Sequence, residues 1–177
     1  MSRIPRRLRQ RPRDSHGRVI PYVVLILPDG TPEFRAPDTE RWKLCLRQER
    51  CSLCGVQMRD GYWFVGGPRC ADHRLFMDPP MHHDCARYAL QVCPFLAMSK
   101  AHYSSLVRRP PPPGFVEVPG ASDERPERFM LGEATVYKMV RVESVPFIKA
   151  GMWRTLHWWK DGVELDEEVS AGALHTP

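Results

Sequence analysis

Cysteine and histidine are concentrated in residues 51–93, and this stretch constrains the fold more than any other feature of the chain. It holds five of the six cysteines and three of the seven histidines. Cys51 and Cys54 are followed by Gly55, which is the form of a zinc knuckle: two thiolates hold one tetrahedral ion and a glycine lets the backbone turn beneath it. No secretory signal is recognisable, so we expect these cysteines to bind metal or stay reduced rather than form disulfides.

Two further pairs with the same spacing compete to complete the site. His82 and Cys85 follow Pro79-Pro80, which block a helix, and a helix starting at His82 would place both side chains on one face of its first turn. Cys70 and His73 form the rival pair at a spacing common in zinc ribbons. Because four ligands close a structural zinc site, one pair is spare. We favour a single Zn²⁺ held by Cys51, Cys54, His82 and Cys85, and the set Cys51, Cys54, Cys70 and His73 stays open.

The order of these features predicts the fold of the metal module. The knuckle is followed by an aromatic, β-prone run at 61–65 and by the turn Gly66-Gly67-Pro68, which together indicate a short hairpin. The helix with the second ligand pair comes next and ends at Pro94. Knuckle, hairpin and helix, in this order, are typical of a treble-clef zinc fold. A closed set of four ligands favours a structural zinc, because a catalytic zinc needs an open position.

Patterns on both sides of the metal module predict further strands and one helix. Residues 20–35 indicate a hairpin that turns at Asp29-Gly30. Asp38 is suited to cap a helix over 39–48, whose apolar face carries Cys45 as a buried free thiol rather than a ligand. Residues 130–148 are β-prone, and the sequence after them predicts a second hairpin with the turn Asp161-Gly162. We expect Trp153, Trp158 and Trp159 to pack against the resulting sheet, with a base-stacking platform as the alternative.

The predicted fold class is α+β, with a treble-clef-like zinc module packed on a small, mostly antiparallel sheet made from residues 20–35 and 130–165. One domain is expected over residues 19–165, made of the zinc module 45–97, a proline-rich linker 108–114 and a C-terminal β region 115–165. An arginine-rich tail, 1–18, and an acidic tail, 166–177, flank it. No apolar run reaches the roughly 18 residues of a membrane span, so we expect a cytoplasmic protein with no membrane partner.

The positive charge of the chain is unevenly placed. The formal net charge is +5, yet residues 1–18 hold seven arginines against a single acid, Asp14, so the remainder is close to neutral. Only Ile4 and Leu8 are sizeable apolar residues here, and this composition predicts a disordered tail. Guanidinium groups suit phosphate, so a nucleic acid is the predicted partner, and a solvated leader is the alternative. The candidate contacts are Arg3, Arg6, Arg7, Arg9, Arg11 and Arg13.

A resemblance adds to this picture. The elements Cys51-x₂-Cys54-Gly55, Gly67-Pro68-x-Cys70, Pro80-x-His82-x₂-Cys85-Ala86 and Cys93-Pro94-Phe95-Leu96 resemble a family of uncharacterised Cys/His-rich zinc-binding proteins of actinobacteria and their phages. The match covers about residues 17–100. It implies an intracellular, phage-encoded protein and brings no activity with it.

Three functions are compatible with these observations. The leading hypothesis is a non-enzymatic module with structural zinc that binds DNA or RNA through the arginine-rich tail. The second is a protein-interaction or inhibitor module that acts on a host protein, which the polyproline linker and the acidic end suit equally well. The third is a nuclease of the His-metal finger type, suggested by Asp72-His73, although its downstream asparagine is not recognisable.

Overall fold

The computed structural model describes residues 3–98 and 125–166, so the predicted linker 108–114 and residues 167–177 of the acidic tail lie outside the described residues. The structure is α+β with small antiparallel sheets, as predicted. A 3₁₀ turn spans Arg6–Leu8. The four helices in the described ranges are α1 (Thr39–Arg47), α2 (Pro68–His73), α3 (His83–Val92) and α4 (Pro94–Ala97). The nine strands in the same ranges are β1 (Val24–Ile26), β2 (Pro32–Pro37), β3 (Tyr62–Gly66), β4 (Leu75–Phe76), β5 (Phe129–Ala134), β6 (Tyr137–Val142), β7 (Val145–Ala150), β8 (Trp153–Lys160) and β9 (Val163–Glu164).

The strands form three sheets. The largest has the order β3-β5-β8-β9, the second has the order β4-β7-β6, and β1 and β2 form a hairpin of their own. The predicted turn at Asp161-Gly162 connects β8 to β9, and both residues have the positive φ angles that a tight hairpin requires. The predicted hairpin at 20–35 and the helix capped by Asp38 are also confirmed, since the Asp38 carboxylate accepts a hydrogen bond from the Arg41 backbone N–H.

The four-stranded sheet is covered on both faces. On one face Ala86 and Leu90 of α3 pack against Phe129, Leu131 and Trp159. On the other face the sheet packs against the second sheet and α2, and this cluster contains Phe64, Phe76, Met130, Ile148 and Trp158. The helix of the metal module and the C-terminal strands therefore share a core. The three tryptophans of β8 are all buried, which confirms their packing role.

The predicted hairpin at 61–68 is wrong. β3 does form there, but it pairs with β5 instead of folding back on itself. Pro68 takes the first position of α2, where its missing N–H costs nothing, so the Gly66-Gly67-Pro68 run starts a helix rather than a turn between strands. The hairpin of β1 and β2 also stays separate from the larger sheets, although we expected it to contribute to them.

The predicted disorder of the N-terminal tail is also wrong for residues 3–18. Leu8 is 0% exposed and lies in one cluster with the cysteines of the knuckle. Arg13 and Val19 form an antiparallel bridge, and the Asp14 carboxylate accepts hydrogen bonds from the backbone and the guanidinium of Arg18. One fully buried leucine and these local bonds are enough to order a segment whose composition is that of a disordered chain.

None of the described helices is both long enough and apolar enough to cross a membrane.

Candidate metal centre

Four predicted ligands come together between the knuckle and the start of α3. The Sγ atoms of Cys51, Cys54 and Cys85 and a ring nitrogen of His82 all lie within 4.8 Å of one another. The three cysteines are buried and His82 is half-buried. His82 is the residue immediately before α3, and Cys85 is in its first turn. Three thiols and one imidazole form a donor set that suits tetrahedral Zn²⁺.

Gly55 shapes the knuckle in the way the sequence predicts. Its φ angle is +79°, a conformation that residues with a side chain rarely adopt. A Cβ atom built on Gly55 would also lie only 2.7 Å from a ring carbon of Tyr22. The knuckle therefore requires glycine for two reasons, its backbone conformation and the close approach of the Tyr22 ring.

Backbone N–H groups point at two of the sulfur atoms. The Val56 N–H donates to the Sγ of Cys54 over 3.4 Å, and the His82 N–H donates to the Sγ of Cys51 over 3.5 Å. Such bonds stabilise a thiolate more than a neutral thiol, because the negative sulfur is the stronger acceptor. The backbone is thus arranged for the deprotonated cysteines that a metal ion requires.

The imidazole of His82 is oriented by contacts on both of its nitrogens. Its Nδ1 atom lies 3.4 Å from the Sγ of Cys54, and its Nε2 atom lies 3.2 Å from the carbonyl oxygen of Gln57. If Nε2–H donates to that carbonyl, Nδ1 carries the free lone pair and faces the cysteines. Histidines that bind metals are commonly held by a second hydrogen bond of this kind.

Contacts within the cluster shift the pKa values of Cys51, Cys85 and His82. Burial alone would raise the pKa of Cys51, but hydrogen bonds from its neighbours lower it well below the ordinary value. The pKa of Cys85 is raised, chiefly because it hydrogen-bonds to Cys51 and Cys54. Burial opposes protonation of His82, yet its bonds to Cys51 and Cys54 raise the pKa of the imidazole to about 10. Protons and negative charge are shared in a small buried volume, and a divalent cation can take the place of those protons.

Arg11 is a neighbour of the centre that the sequence did not identify as such. Its guanidinium donates to the carbonyl oxygen of Ile20 and lies over the Tyr22 ring at 5.6 Å. Burial and Arg41 lower the pKa of Arg11, whereas the charge of the Cys54 sulfur raises it. Three thiolates and a Zn²⁺ ion would sum to one negative charge, which Arg11 would help to balance. The position of Arg11 next to the candidate ligands is evident only from the fold, because in the sequence Arg11 resembles the other arginines of the tail.

The rival ligands are placed elsewhere. Within residues 3–98 and 125–166, the only cluster of at least three potential ligands is the one just described. Cys70 packs beside Gly66, and His73 is exposed at the end of α2. Asp72, the other residue of the possible nuclease motif, is exposed as well. Cys45 is fully buried, and desolvation raises the pKa of its thiol to about 12, as expected for a thiol that packs in a core.

The candidate nucleic-acid contacts divide into two groups. Arg3, Arg6, Arg9 and Arg13 are exposed, and among the described residues none of them makes an ion pair. Arg7 and Arg11 are engaged within the protein: Arg7 pairs with Asp84 of α3 at 2.8 Å, and Arg11 bonds to Ile20. The guanidinium of Arg13 also donates to the carbonyl oxygen of Gly17 over 3.0 Å. Three of the six predicted arginines, Arg3, Arg6 and Arg9, are therefore left exposed and open to a ligand.

No known protein family, curated protein or solved structure compared with this chain matches it. The resemblance described from the sequence stays a prediction.

Proposed function

We propose that this chain is a non-enzymatic module, built around one structural zinc ion, that binds nucleic acid through exposed arginines beside the metal centre. The observation that carries the proposal is the packing of the N-terminal segment on that centre. Leu8 belongs to the cluster that contains Cys51, Cys54 and Cys85. The segment that bears the arginines is thereby fixed to the residues that would hold the ion.

Zinc is the favoured ion because of the donor set. Thiolate and imidazole groups select zinc over the harder cations, which prefer oxygen ligands. Four protein ligands leave no position for a substrate or a reactive water, so the ion is assigned a structural role. The knuckle and the first turn of a helix supply one pair each, which is the ligand arrangement of a treble clef. We infer a treble-clef-like module in which β3, α2 and β4 stand where a hairpin is usual.

The exposed arginines form a local positive surface. Arg6 is the first residue of the 3₁₀ turn that Leu8 anchors, and Arg3 and Arg9 lie before and after that turn. Because the backbone beneath them is already ordered, phosphate contacts would cost less entropy than contacts from a disordered tail. Guanidinium groups offer paired donors to phosphate oxygens, and such contacts carry no base preference by themselves. General affinity for DNA or RNA backbone is the expected property.

Catalysis has less support. Asp72 and His73 are exposed at the end of α2, away from the candidate ligands, so the proposed nuclease motif lacks a metal partner among the described residues. A nuclease would need a bound ion with a free coordination position next to the phosphate.

The test compares salt-dependent binding of two matched triple variants to a 20-base-pair duplex and to single-stranded RNA. Arg3→Ala/Arg6→Ala/Arg9→Ala should weaken binding by more than about tenfold at low salt and reduce the log–log salt slope by about 0.9 per lost duplex contact. The control Arg47→Ala/Arg59→Ala/Lys160→Ala removes the same charge from exposed positions elsewhere. It should retain most of the affinity.

Zinc content is measured on the same samples, because the proposal has two parts. If the protein holds one zinc per chain but does not bind nucleic acid at about 50 mM salt, the metal centre is supported and the nucleic-acid function is contradicted. Equal losses in the two triple variants would show that net charge, rather than the N-terminal surface, determines affinity.

A further inference from the structure

The hairpin of β6 and β7 carries an apolar face. The strand register places Val140 opposite Phe147 and Val142 opposite Val145. These four side chains lie on one face of the hairpin, and buried Ile148 lies on the other. Val142 is 42% exposed, and Val140, Val145 and Phe147 are half-buried. A sheet face of this composition normally packs against another element. None of these four residues belongs to a core cluster in the described part of the chain.

Exposed apolar side chains are concentrated around the same hairpin. Nine large hydrophobic residues are exposed in the described ranges, and four of them lie between positions 136 and 152. They are Val136, Met139, Val142 and Met152, of which Val142 lies on the apolar face described above and Met139 on the opposite face of β6. Scattered exposed apolar residues are ordinary, but a local concentration around one edge strand is typical of a contact surface.

Among the described residues, no strand pairs with the outer edge of β6. β6 pairs with β7 and stands last in the order β4-β7-β6. The two-residue turn Glu143-Ser144, with both φ angles positive, closes the hairpin between Val142 and Val145. That register directs the N–H and C=O groups of Met139 and Arg141 away from β7. An added strand could bond to them.

The charge of the hairpin determines what kind of strand would fit. β6 and β7 carry Lys138, Arg141 and Lys149, and neither strand contains an acidic residue. Desolvation, Arg74 and Lys138 all lower the pKa of Lys149, so positive charge is crowded at this end. A second copy pairing through its own β6 would place cations opposite cations, which is unfavourable. An acidic strand would meet complementary charge.

We propose that the β6–β7 hairpin is a docking surface for an extended acidic segment of a partner protein, which adds as a strand to β6. The backbone of the partner would bond to Met139 and Arg141, its acidic side chains would pair with Arg141 on one face of the sheet, and its apolar side chains would lie beside Val140 and Val142 on the other face. Addition of a strand to a sheet edge is a common mode of peptide recognition. The exposed valine and methionine side chains favour a protein over a nucleic acid, whose backbone offers only charge.

The experiment uses the zinc-loaded full chain, labelled with ¹⁵N, and a capped peptide of alternating glutamate and valine. We expect the peptide to shift the amide signals of Met139 and Arg141 and to slow their hydrogen exchange. The same peptide with lysine in place of glutamate should not bind. Lys138→Glu/Arg141→Glu should weaken binding of the glutamate peptide by about tenfold or more. The matched control Arg59→Glu/Lys160→Glu should leave it nearly unchanged.

Backbone pairing is tested without changing the protein. Two versions of the glutamate peptide carry N-methyl groups on either the valine or the glutamate nitrogens, so each loses the N–H donors along one edge. Strand addition requires that one version binds far more weakly than the other. Equal binding of the two versions would overturn the proposal, as would the absence of any amide shift at about 1 mM peptide, a concentration that detects weak binding.

Two other results would assign the hairpin to a different occupant and so contradict the proposal. If the charge reversal lowers affinity for duplex DNA and the glutamate peptide does not bind, the hairpin is a nucleic-acid contact. If sedimentation shows a dimer that the charge reversal alters, a second copy occupies β6. The Arg3→Ala/Arg6→Ala/Arg9→Ala variant should bind the peptide normally, so this proposal and the proposed nucleic-acid function can fail independently.

Discussion

The core around the candidate metal centre and the core around the four-stranded sheet contain different kinds of side chain. Cysteines, Met58, Leu53 and Leu8 dominate the first, whereas Trp159, Phe129, Leu131 and other large side chains fill the clusters of the second. Aromatic and branched side chains bury more apolar area, and stabilisation grows with that area. The comparison indicates that the sheet is stabilised by its own packing, while the cluster around the knuckle buries less apolar area and would gain most from a bound ion.

The two cores meet on α3. Cys85 and Tyr88 face the metal cluster, and Ala86 and Leu90 face the sheet. Arg87 lies over the Trp159 ring at 5.3 Å and pairs with Glu164. A mutation in either core should therefore affect the stability of the other core through this helix. The size of that effect measures how independent the two cores are.

The largest expected effect comes from removing a metal ligand. Cys85→Ser removes one of the four ligands and should abolish zinc binding. The loss of stability should be large, because structural zinc contributes on the order of 10 kcal/mol to folding in small modules. Metal analysis should find one zinc per wild-type chain and none in the variant, and limited proteolysis should cleave within residues 3–60 first. Cys70→Ser/His73→Ala should keep its zinc. If this double variant loses the metal instead, the assigned ligand set is wrong.

Removing a core side chain tests the other half of the comparison. Leu131 is 0% exposed on β5, so Leu131→Ala should lower the free energy of unfolding by about 2–5 kcal/mol through lost burial and a residual cavity. Chemical denaturation measures the change, and zinc content should stay at one per chain. Val163→Ala, at an exposed position on β9, is the control and should change stability by less than about 0.5 kcal/mol.

A smaller and more local effect is expected at Leu8. Leu8→Ala should release the N-terminal segment from the metal cluster, with a local cost of about 2–3 kcal/mol, because only one short segment depends on this side chain. Hydrogen exchange should speed up at residues 8–20 and stay slow in β5 and β8. Uniformly faster exchange would mean that the segment and the sheet unfold together.

The smallest effect is expected at the ion pair between the segment and α3. Arg7 and Asp84 are each about 40% exposed, so Asp84→Asn should change stability by less than about 1 kcal/mol. The change should shrink further at high salt, which screens exposed charges. Thermal unfolding at two salt concentrations measures it. A loss as large as that of Leu8→Ala would mean that the ion pair, rather than the leucine, anchors the segment.

The sequence predicted local features better than long-range ones. The cap at Asp38, the turn at Asp161-Gly162 and the α3 start after Pro79-Pro80 depend on residues close together in the chain. The candidate ligands were identifiable because a tetrahedral ion imposes a short spacing within each pair. The pairing of β3 with β5 was missed because nothing in the intervening chain specifies it, and the aromatic run at 61–65 suits any neighbouring strand.

The N-terminal segment was missed for a different reason. Its composition argues for disorder, since arginine and proline outnumber apolar residues. Order depends on one leucine that packs in a cluster with Val19 and with residues between Cys51 and Tyr88. It also depends on Arg11, whose guanidinium donates to the Ile20 carbonyl oxygen. Composition averages over the segment, whereas burial of a single side chain decides the outcome.

The pairing of β3 with β5 also has a consequence for biosynthesis. Synthesis proceeds from the N-terminus, so all four candidate ligands leave the ribosome well before Phe129–Ala134, the strand that β3 needs. We expect the knuckle to capture its ion early, while closure of the long loop to β5 is the slow step. During that interval Tyr62, Trp63 and Phe64 lack their neighbour, and an unpaired aromatic strand is prone to aggregate. The yield of soluble protein should then depend on the speed of translation past residue 134.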